Sequence, residues 1–393
     1  MSNNFSTIVI GLGAVGSSTL YQLSKIGNTK VLGIEQFTSP HSLGSSHGET
    51  RITRLAIGEG EVYSPLAIRS HQIWREIEHK TQLNLFNQIG GLFISSKEGS
   101  TIHVENFFAT TLDAAKKFNI SHEILEQAEI QKRYPIFNLD VDEYAYFEPD
   151  AGYLNPELCI KAQLDLAHAN GAKIHMNEKL LSYEQFGNQI KVVTNKNEYF
   201  TDKLILSAGS WMPELIPNEY SQYLQVHRQV LYWFNIKPEY YPLFTPENMP
   251  IFIWGIKNSP QGIYGFPAIA GANGGVKIAT ESLVRVNSQD EINREVSNEE
   301  IATMYNTISN KIRYLDGVCI KTSVCMYTVT PDHGFIINEH PEIRGVHIIS
   351  SCSGHGFKHS PALGESIAQL VTYGKSNIDL APFSSSRFNL LNN

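Results

Sequence analysis

The chain has 393 residues, enough for two domains at the usual domain size. Hydrophobic residues make up 42% and charged residues 18%, which excludes a disordered chain and fits a globular enzyme. The net charge of −8 argues against nucleic acid as the main partner, because phosphate binding needs a basic face.

No stretch approaches the roughly 20 apolar residues that a membrane helix needs, so no membrane partner is expected. Met1 to Thr7 holds no basic segment followed by an apolar one, and no secretory signal is expected there. The four cysteines, Cys159, Cys319, Cys325 and Cys352, form no CxxC pair. That argues against a zinc site and against a disulfide scaffold, and favours a reducing, cytoplasmic location.

In chain order, Ser6 to Ile10 reads as a short buried strand, β-branched and uncharged. The turn Gly11-Leu12-Gly13-Ala14-Val15-Gly16 follows directly, then a helix over Ser17 to Ile26 ended by Gly27 and Asn28. Lys30 to Ile34 is a second strand with Glu35 at its end. Gly11 permits the tight turn, Gly13 lets backbone approach a pyrophosphate, and Gly16 lets helix and strand pack closely. The helix N-terminus offers free N–H groups to phosphate, and Glu35 sits where a carboxylate accepts ribose hydroxyls. An acid there disfavours a 2′-phosphate and hence NADP. NAD and FAD both fit this motif, which does not separate them.

Further along, Val62 to Thr81 reads as an amphipathic helix, Gly91 to Ser96 as a strand and Thr101 to Phe118 as a helix. Pro156 to Asn170 reads as a helix with proline near its start and Gly171 just past its end. Lys173 to His175, Ile190 to Thr194 and Lys203 to Leu206 read as strands returning to the first sheet. Residues 224 to 282 are β-rich with Pro, Gly and Asn between the runs, as in an antiparallel sheet. A helix over Asn298 to Ile312, a strand over Val346 to Ser350 and a helix from Ser360 to Tyr373 complete the chain. The fold class is therefore α/β: a Rossmann-like cofactor domain from residues 1–88, 151–220 and 318–393, and a mostly antiparallel substrate domain from 89–150 and 221–317.

Three segments carry further chemistry. Gly44 to Arg54 (GSSHGETRITR) is a Gly/Ser-rich loop beside the ribose-binding strand, with Arg51 and Arg54 as forked donors for carboxylate or phosphate. Cys325 to Thr328 reads CMYT, and Ser353 to Lys358 reads SGHGFK and opens the last helix. There a helix N-terminus and a lysine can stabilise negative charge. Taken alone, the first segment reads better as a solvated loop with two surface arginines, and the other two have a buried structural cysteine and a glycine turn as their plain readings.

Together, GSSHGETR, the YGFP at Tyr264, CMYT and SGHGFK resemble the monomeric sarcosine oxidases, with N-methyltryptophan oxidase as close kin, in order and near-family spacing from the fingerprint to Gly374. The resemblance implies an FAD-dependent oxidase of a secondary amine, of the N-methyl amino acid class, acting as a monomer and yielding an imine, then an aldehyde, and hydrogen peroxide. It implies a thioether from Cys325 to the flavin. It places Gly11, Gly13, Gly16, Glu35, Ser45, Ser46, His47, Arg51, Gly354, Gly356 and Lys358 at the cofactor. It gives Arg54 and Lys358 to the substrate carboxylate, Tyr264 and Tyr327 to the pocket wall, and Lys277 to oxygen activation over the flavin ring. One departure stands out: the sarcosine enzymes place a histidine four residues past that lysine, and this chain has Glu281. A carboxylate there would attract a cationic amine and repel a second carboxylate. The alternatives are a flavin dehydrogenase passing electrons to a protein or quinone, an NAD-dependent dehydrogenase, and a non-catalytic flavoprotein.

Overall fold

The computed structural model describes residues 3–27, 30–96, 104–257, 262–281 and 284–390. Strand β1 (Asn4–Ile10) is buried along most of its length because it runs through the middle of a sheet. It pairs in parallel with β2 (Val31–Ile34) on one side and with Glu198–Leu206 on the other. Helix α1 (Ala14–Ser24) makes the crossover between β1 and β2 and packs against the helices Pro156–Ala169 and Ser360–Tyr373. The eight-stranded sheet adds Lys173–His175 beyond β2, and Leu180–Phe186 with Gln189–Thr194 at the other edge. Val346–Ser350 joins Glu198–Leu206 in parallel, with Ile336–Glu339 antiparallel to it. This is the Rossmann-like α/β architecture expected from the sequence, a parallel core with a βαβ crossover at its centre.

The second sheet has nine strands and is antiparallel except where Ile251–Trp254 runs parallel to Gly91–Ser96. Its spine is the pair Gln225–Ile236 and Leu315–Val329, which are hydrogen-bonded along most of their length. The domain boundary drawn at 317/318 therefore needs correction, since residues 318–329 lie in the second sheet. The strand mixes buried and exposed positions and has no glycine or proline after Gly317, so nothing in its pattern marks which sheet it joins. A third, three-stranded sheet joins Arg51–Thr53, Gly152–Leu154 and Phe86–Gln88. Part of the segment read as a loop, GSSHGETRITR, is thus a strand, and pairing with Gly152–Leu154 fixes where Arg51 and Arg54 leave it.

The helices start where their caps dictate. Asn155 accepts from the Leu158 N–H at 2.8 Å ahead of Pro156–Ala169. Ser297 and Glu300 form a capping box at Asn298–Ile308, which ends one turn short of the expected Ile312. The expected SGHGFK helix start is a 3-10 turn, Gly356–His359, and the α-helix begins at Ser360. Asn28 and Thr101 to His103, expected at helix ends, lie outside the described residues; the helix toward Phe118 is described as Phe107–Lys117. Among the described residues no helix is long and apolar enough to cross a membrane, and no cluster of three His, Cys, Asp or Glu could hold a metal.

Candidate active site

One cleft lies between the two large sheets, with about 2090 Å³ of atom-free space including its open mouth. Its lining runs without a break from Gly11 and Glu35 at one end to Lys277, Tyr264 and Tyr327 at the other. Its floor at one end is the glycine turn. Gly11 has φ +83°, and a Cβ there would lie 2.7 Å from Ala208 Cα. A Cβ on Gly16 would overlap the Gly11 carbonyl, so Gly16 packs against the turn itself as well as the strand end. Gly13 differs: a Cβ there meets nothing closer than Ser46 Oγ at 3.8 Å. Its open side faces the cleft, and no side chain caps α1, so the first helical N–H groups are left for an anion. Glu35 lines the same end and accepts from the Leu12 N–H at 2.8 Å and the Phe37 N–H at 3.0 Å. Burial pushes its carboxyl up, but hydrogen bonds from His41, Leu12 and Phe37 outweigh this and hold it below the usual range. It is an anion with acceptor capacity to spare. A dinucleotide cofactor fits these residues.

The other end is one face of the nine-stranded sheet. Register places Trp233, Lys277 and Phe266 side by side, then Ala279 beside Tyr264. Because side chains alternate along a strand, Lys277 and Glu281 share this face, as do Cys325 and Tyr327 on the long strand. The opposite face, with Val230, Tyr232, Ile278 and Val324, packs into an apolar core. Lys277 is buried; its Nζ donates to Gly48 O at 2.7 Å, Thr50 O at 2.9 Å and Thr50 Oγ1 at 3.0 Å. Burial, and then the Arg51 charge, drive its pKa well below that of an ordinary lysine. The Tyr264 and Tyr327 hydroxyls lie 3.2 Å apart, and burial pushes both upward, so they stay protonated. Tyr264, Tyr327, Lys277 and Glu281 all line the cleft.

Arg54 and Lys358 are brought together as expected, but on a partner the sequence reading missed. Arg54 is fully buried; it donates to Glu59 Oε2 at 2.5 Å and to the Ala56 carbonyl. Lys358 donates to Glu59 Oε1 at 3.3 Å and to His355 O at 3.1 Å. One carboxylate thus bridges two cations at the wall of the cleft. Burial lowers the Lys358 pKa to about 8, with Glu59 pulling the other way. Behind them Glu148, completely buried, accepts from the Leu55 N–H at 2.6 Å, the Ala56 N–H at 3.2 Å and the Tyr146 hydroxyl at 3.0 Å. Only the spacing of Glu59 from Arg54 could have hinted at the first contact, and no local signal announces Glu148.

Ser45, Ser46, Arg51, Gly354 and Gly356 line the cleft as expected. His47 does not: it turns from the cleft toward Ser323, its Nδ1 3.4 Å from Ser323 Oγ. Burial, with Arg51, Arg294 and Lys277 around it, lowers its pKa to about 3, so it is neutral. Cys325 is also absent from the open lining. Its thiol is buried among Leu231, Trp233, Ala279 and the two tyrosines, just under the wall. Cys352, not singled out from the sequence, does line the cleft. His355 lines it and sits 3.0 Å from His333 O through Nε2, while His359 is buried beside Tyr63 and caps nothing.

Comparison with known proteins agrees with this architecture. The family model described as "FAD dependent oxidoreductase" matches residues 6–370. The chain is 36% identical over 388 residues to a monomeric sarcosine oxidase of Streptomyces avermitilis, covering 98% of each. It is 32% identical over 395 residues to an N-methyl-L-tryptophan oxidase of Yersinia pestis, covering 98% of this chain and all of that one. Among solved structures, NikD, described as an unusual amino acid oxidase essential for nikkomycin biosynthesis, superposes with a TM-score of 0.82 at 20% identity, over 97% of both chains. At that identity the likeness bears on the fold.

Proposed function

The chain belongs to the FAD-dependent oxidoreductase family, beside the monomeric sarcosine oxidases and N-methyl-L-tryptophan oxidases, and on that premise we propose that it oxidises a secondary amine carrying a carboxylate, of the N-methyl amino acid class, with release of hydrogen peroxide. The observation that carries the substrate class is the Arg54–Glu59–Lys358 bridge. Glu59 does not use up the donors of this pair: among the described residues Arg54 Nε has no hydrogen-bond partner, and Lys358 gives only two of its three N–H groups, to Glu59 and His355 O, which leaves donors for a substrate carboxylate.

The FAD would lie along Gly13, Glu35 and the N-terminus of α1, with its reactive end toward Lys277 and Cys352. When bound, it supplies the acceptor for two electrons from the amine carbon and passes them to dioxygen. The chain's own groups do the rest. Arg54 and Lys358 take the substrate carboxylate and fix its orientation. Tyr264 and Tyr327, kept protonated, bound the space beside the amine. Glu281 adds negative charge to the wall, which favours an ammonium on entry. The amine must lose that proton before oxidation. Lys277, whose Nζ donates to three oxygens as an ammonium does, brings positive charge to the place where negative charge develops on oxygen. Covalent attachment of the flavin at Cys325, next to this wall, belongs to the same reading.

The test is a screen of N-methyl and cyclic amino acids with peroxide readout in air, run beside the same amines lacking the carboxylate. Peroxide from carboxylate-bearing secondary amines, and little from their decarboxylated counterparts, is the expected result. Flavin reduction without oxygen uptake would point instead to a dehydrogenase.

A further inference from the structure

Arg294 belongs to the segment between Val284–Arg285 and the helix Asn298–Ile308, which leaves the nine-stranded sheet and reaches the loop before Ser45. Its Nη1 donates to Ser42 O at 3.3 Å and Val324 O at 3.2 Å, and its Nη2 to Leu43 O at 2.7 Å. Arg228 braces it from behind, donating to the carbonyls on either side, Asn293 O and Glu295 O, at 2.7 Å each. The guanidinium is thereby pinned between the cofactor loop and the residue preceding Cys325.

Arg51 is held in the same manner by Thr50 O and Ser45 O, and Lys277 by Gly48 O and the two Thr50 oxygens. Among the described residues, none of these three cations has a carboxylate within ion-pair distance. Buried or half-buried cations satisfied only by neutral oxygens are unfavourable unless negative charge arrives near them. The group they surround is a thiol. The titratable and charged groups facing Cys325 are these three cations together with Cys352, Tyr264 and Tyr327. Burial pushes the thiol up, and the cations pull against it. Both tyrosines stay neutral, so the cations alone can favour a thiolate.

We propose that Arg294 is a positioning residue for covalent attachment of FAD at Cys325: it locks the strand at Val324 to the cofactor loop and completes a cluster of cations in which the thiol gives up its proton. The inference rests on the reading that Cys325 carries the flavin. Attachment forms one C–S bond between Sγ and the flavin 8α-carbon. The thiol proton and one methyl proton leave, and dioxygen takes the two electrons and both protons as hydrogen peroxide.

The test uses the full chain, purified from riboflavin-limited cells and mixed with FAD in air. Three quantities are followed: total bound flavin, flavin retained after acid precipitation, and the pH profile of Cys325 alkylation before FAD is added, mapped by peptide mass. Arg294→Gln is expected to bind FAD but attach it at least about tenfold more slowly, with the alkylation profile moved to higher pH by about one unit. Arg294→Lys keeps the charge without the fork and should fall between. Attachment by Arg294→Gln at the wild-type rate with an unmoved profile would overturn the inference. If Arg294→Gln cannot hold FAD at all, Arg294→Lys decides, and wild-type attachment by that variant would overturn the positioning role. Wild-type protein that releases all its flavin to acid fails differently: it removes the covalent reading itself, and this inference with it.

Discussion

Lys358 has a pKa of about 8, lowered from its ordinary 10.5 by burial. It is charged below that value and neutral above it, so the clamp loses one of its two cations as pH rises through 8. A carboxylate inhibitor with no amine should therefore bind about tenfold more weakly at pH 9 than on the plateau below pH 7. Lys358→Arg should flatten the profile, because arginine does not titrate there. Titrating the flavin spectrum with inhibitor at each pH measures this, and a flat wild-type profile would exclude Lys358 from the carboxylate site. Lys277 makes a second prediction at this scale. Lys277→Met removes what is, among the described residues, the only buried lysine on the sheet face of the cleft, and should slow reoxidation of reduced flavin by about 100-fold or more, with a much smaller effect on reduction by substrate. Stopped-flow measurement of the two half-reactions separates them; equal losses would show that Lys277 acts only by holding Gly48 and Thr50.

The glycine turn and the segment after Arg51 behave differently as elements, and the difference sets what the sequence could reveal. At the turn, backbone geometry dictates the residue: Gly11 must adopt φ +83°, and Gly16 must clear the Gly11 carbonyl. Such constraints are written locally, and the strand–turn–helix–strand unit was legible for that reason. Gly11→Ala should destabilise the fold. Gly13→Ala should leave thermal stability nearly unchanged yet weaken FAD binding sharply, because its Cβ would enter the space open to the cofactor. Calorimetry beside FAD titration distinguishes the two, and normal FAD affinity in Gly13→Ala would move the pyrophosphate elsewhere. The clamp was only half legible. Arg54 and Lys358 stood in recognisable motifs, but Glu59 meets Lys358 across 299 residues and Glu148 meets Leu55 across 93, so tertiary folding alone joins them. Glu148→Gln keeps the shape but leaves one of these amide donors, or the Tyr146 hydroxyl, without its acceptor. It should cost about 1–3 kcal/mol of stability and raise KM for carboxylate substrates more than it lowers kcat. Unchanged KM would mean the Glu148 anchor does not reach Arg54.

At the scale of the molecule, the cleft separates two sheets whose cores are distinct. The helices α1, Pro156–Ala169 and Ser360–Tyr373 pack on one face of the eight-stranded sheet, while Val230, Tyr232, Phe252 and Ile278 fill the core of the nine-stranded one. What crosses between the halves beside the cleft is largely polar: Lys277 to Gly48 and Thr50, Trp233 Nε1 to Glu49 at 2.9 Å, Trp211 Nε1 to Asp290 at 2.8 Å, and Arg294 to Leu43. The boundary at 317/318 was misread because this junction leaves no mark in hydrophobic pattern; the long strand Leu315–Val329 carries the second sheet up to the cofactor loop without a break. A ligand that touches both sheets stabilises whichever state contains them docked, by RT ln(1 + [L]/Kd) for reversible binding. FAD at 1,000 times its Kd would add about 4 kcal/mol, and a covalent link makes the gain independent of added FAD. Flavin-free protein from riboflavin-limited cells should accordingly melt lower, and in two steps as the sheets uncouple, whereas the flavin-loaded protein should melt in one. In Cys325→Ala the single step should persist but shift with FAD concentration. A melting curve of Cys325→Ala that ignores added FAD, with wild-type still melting high, would mean that the cofactor does not bridge the two sheets.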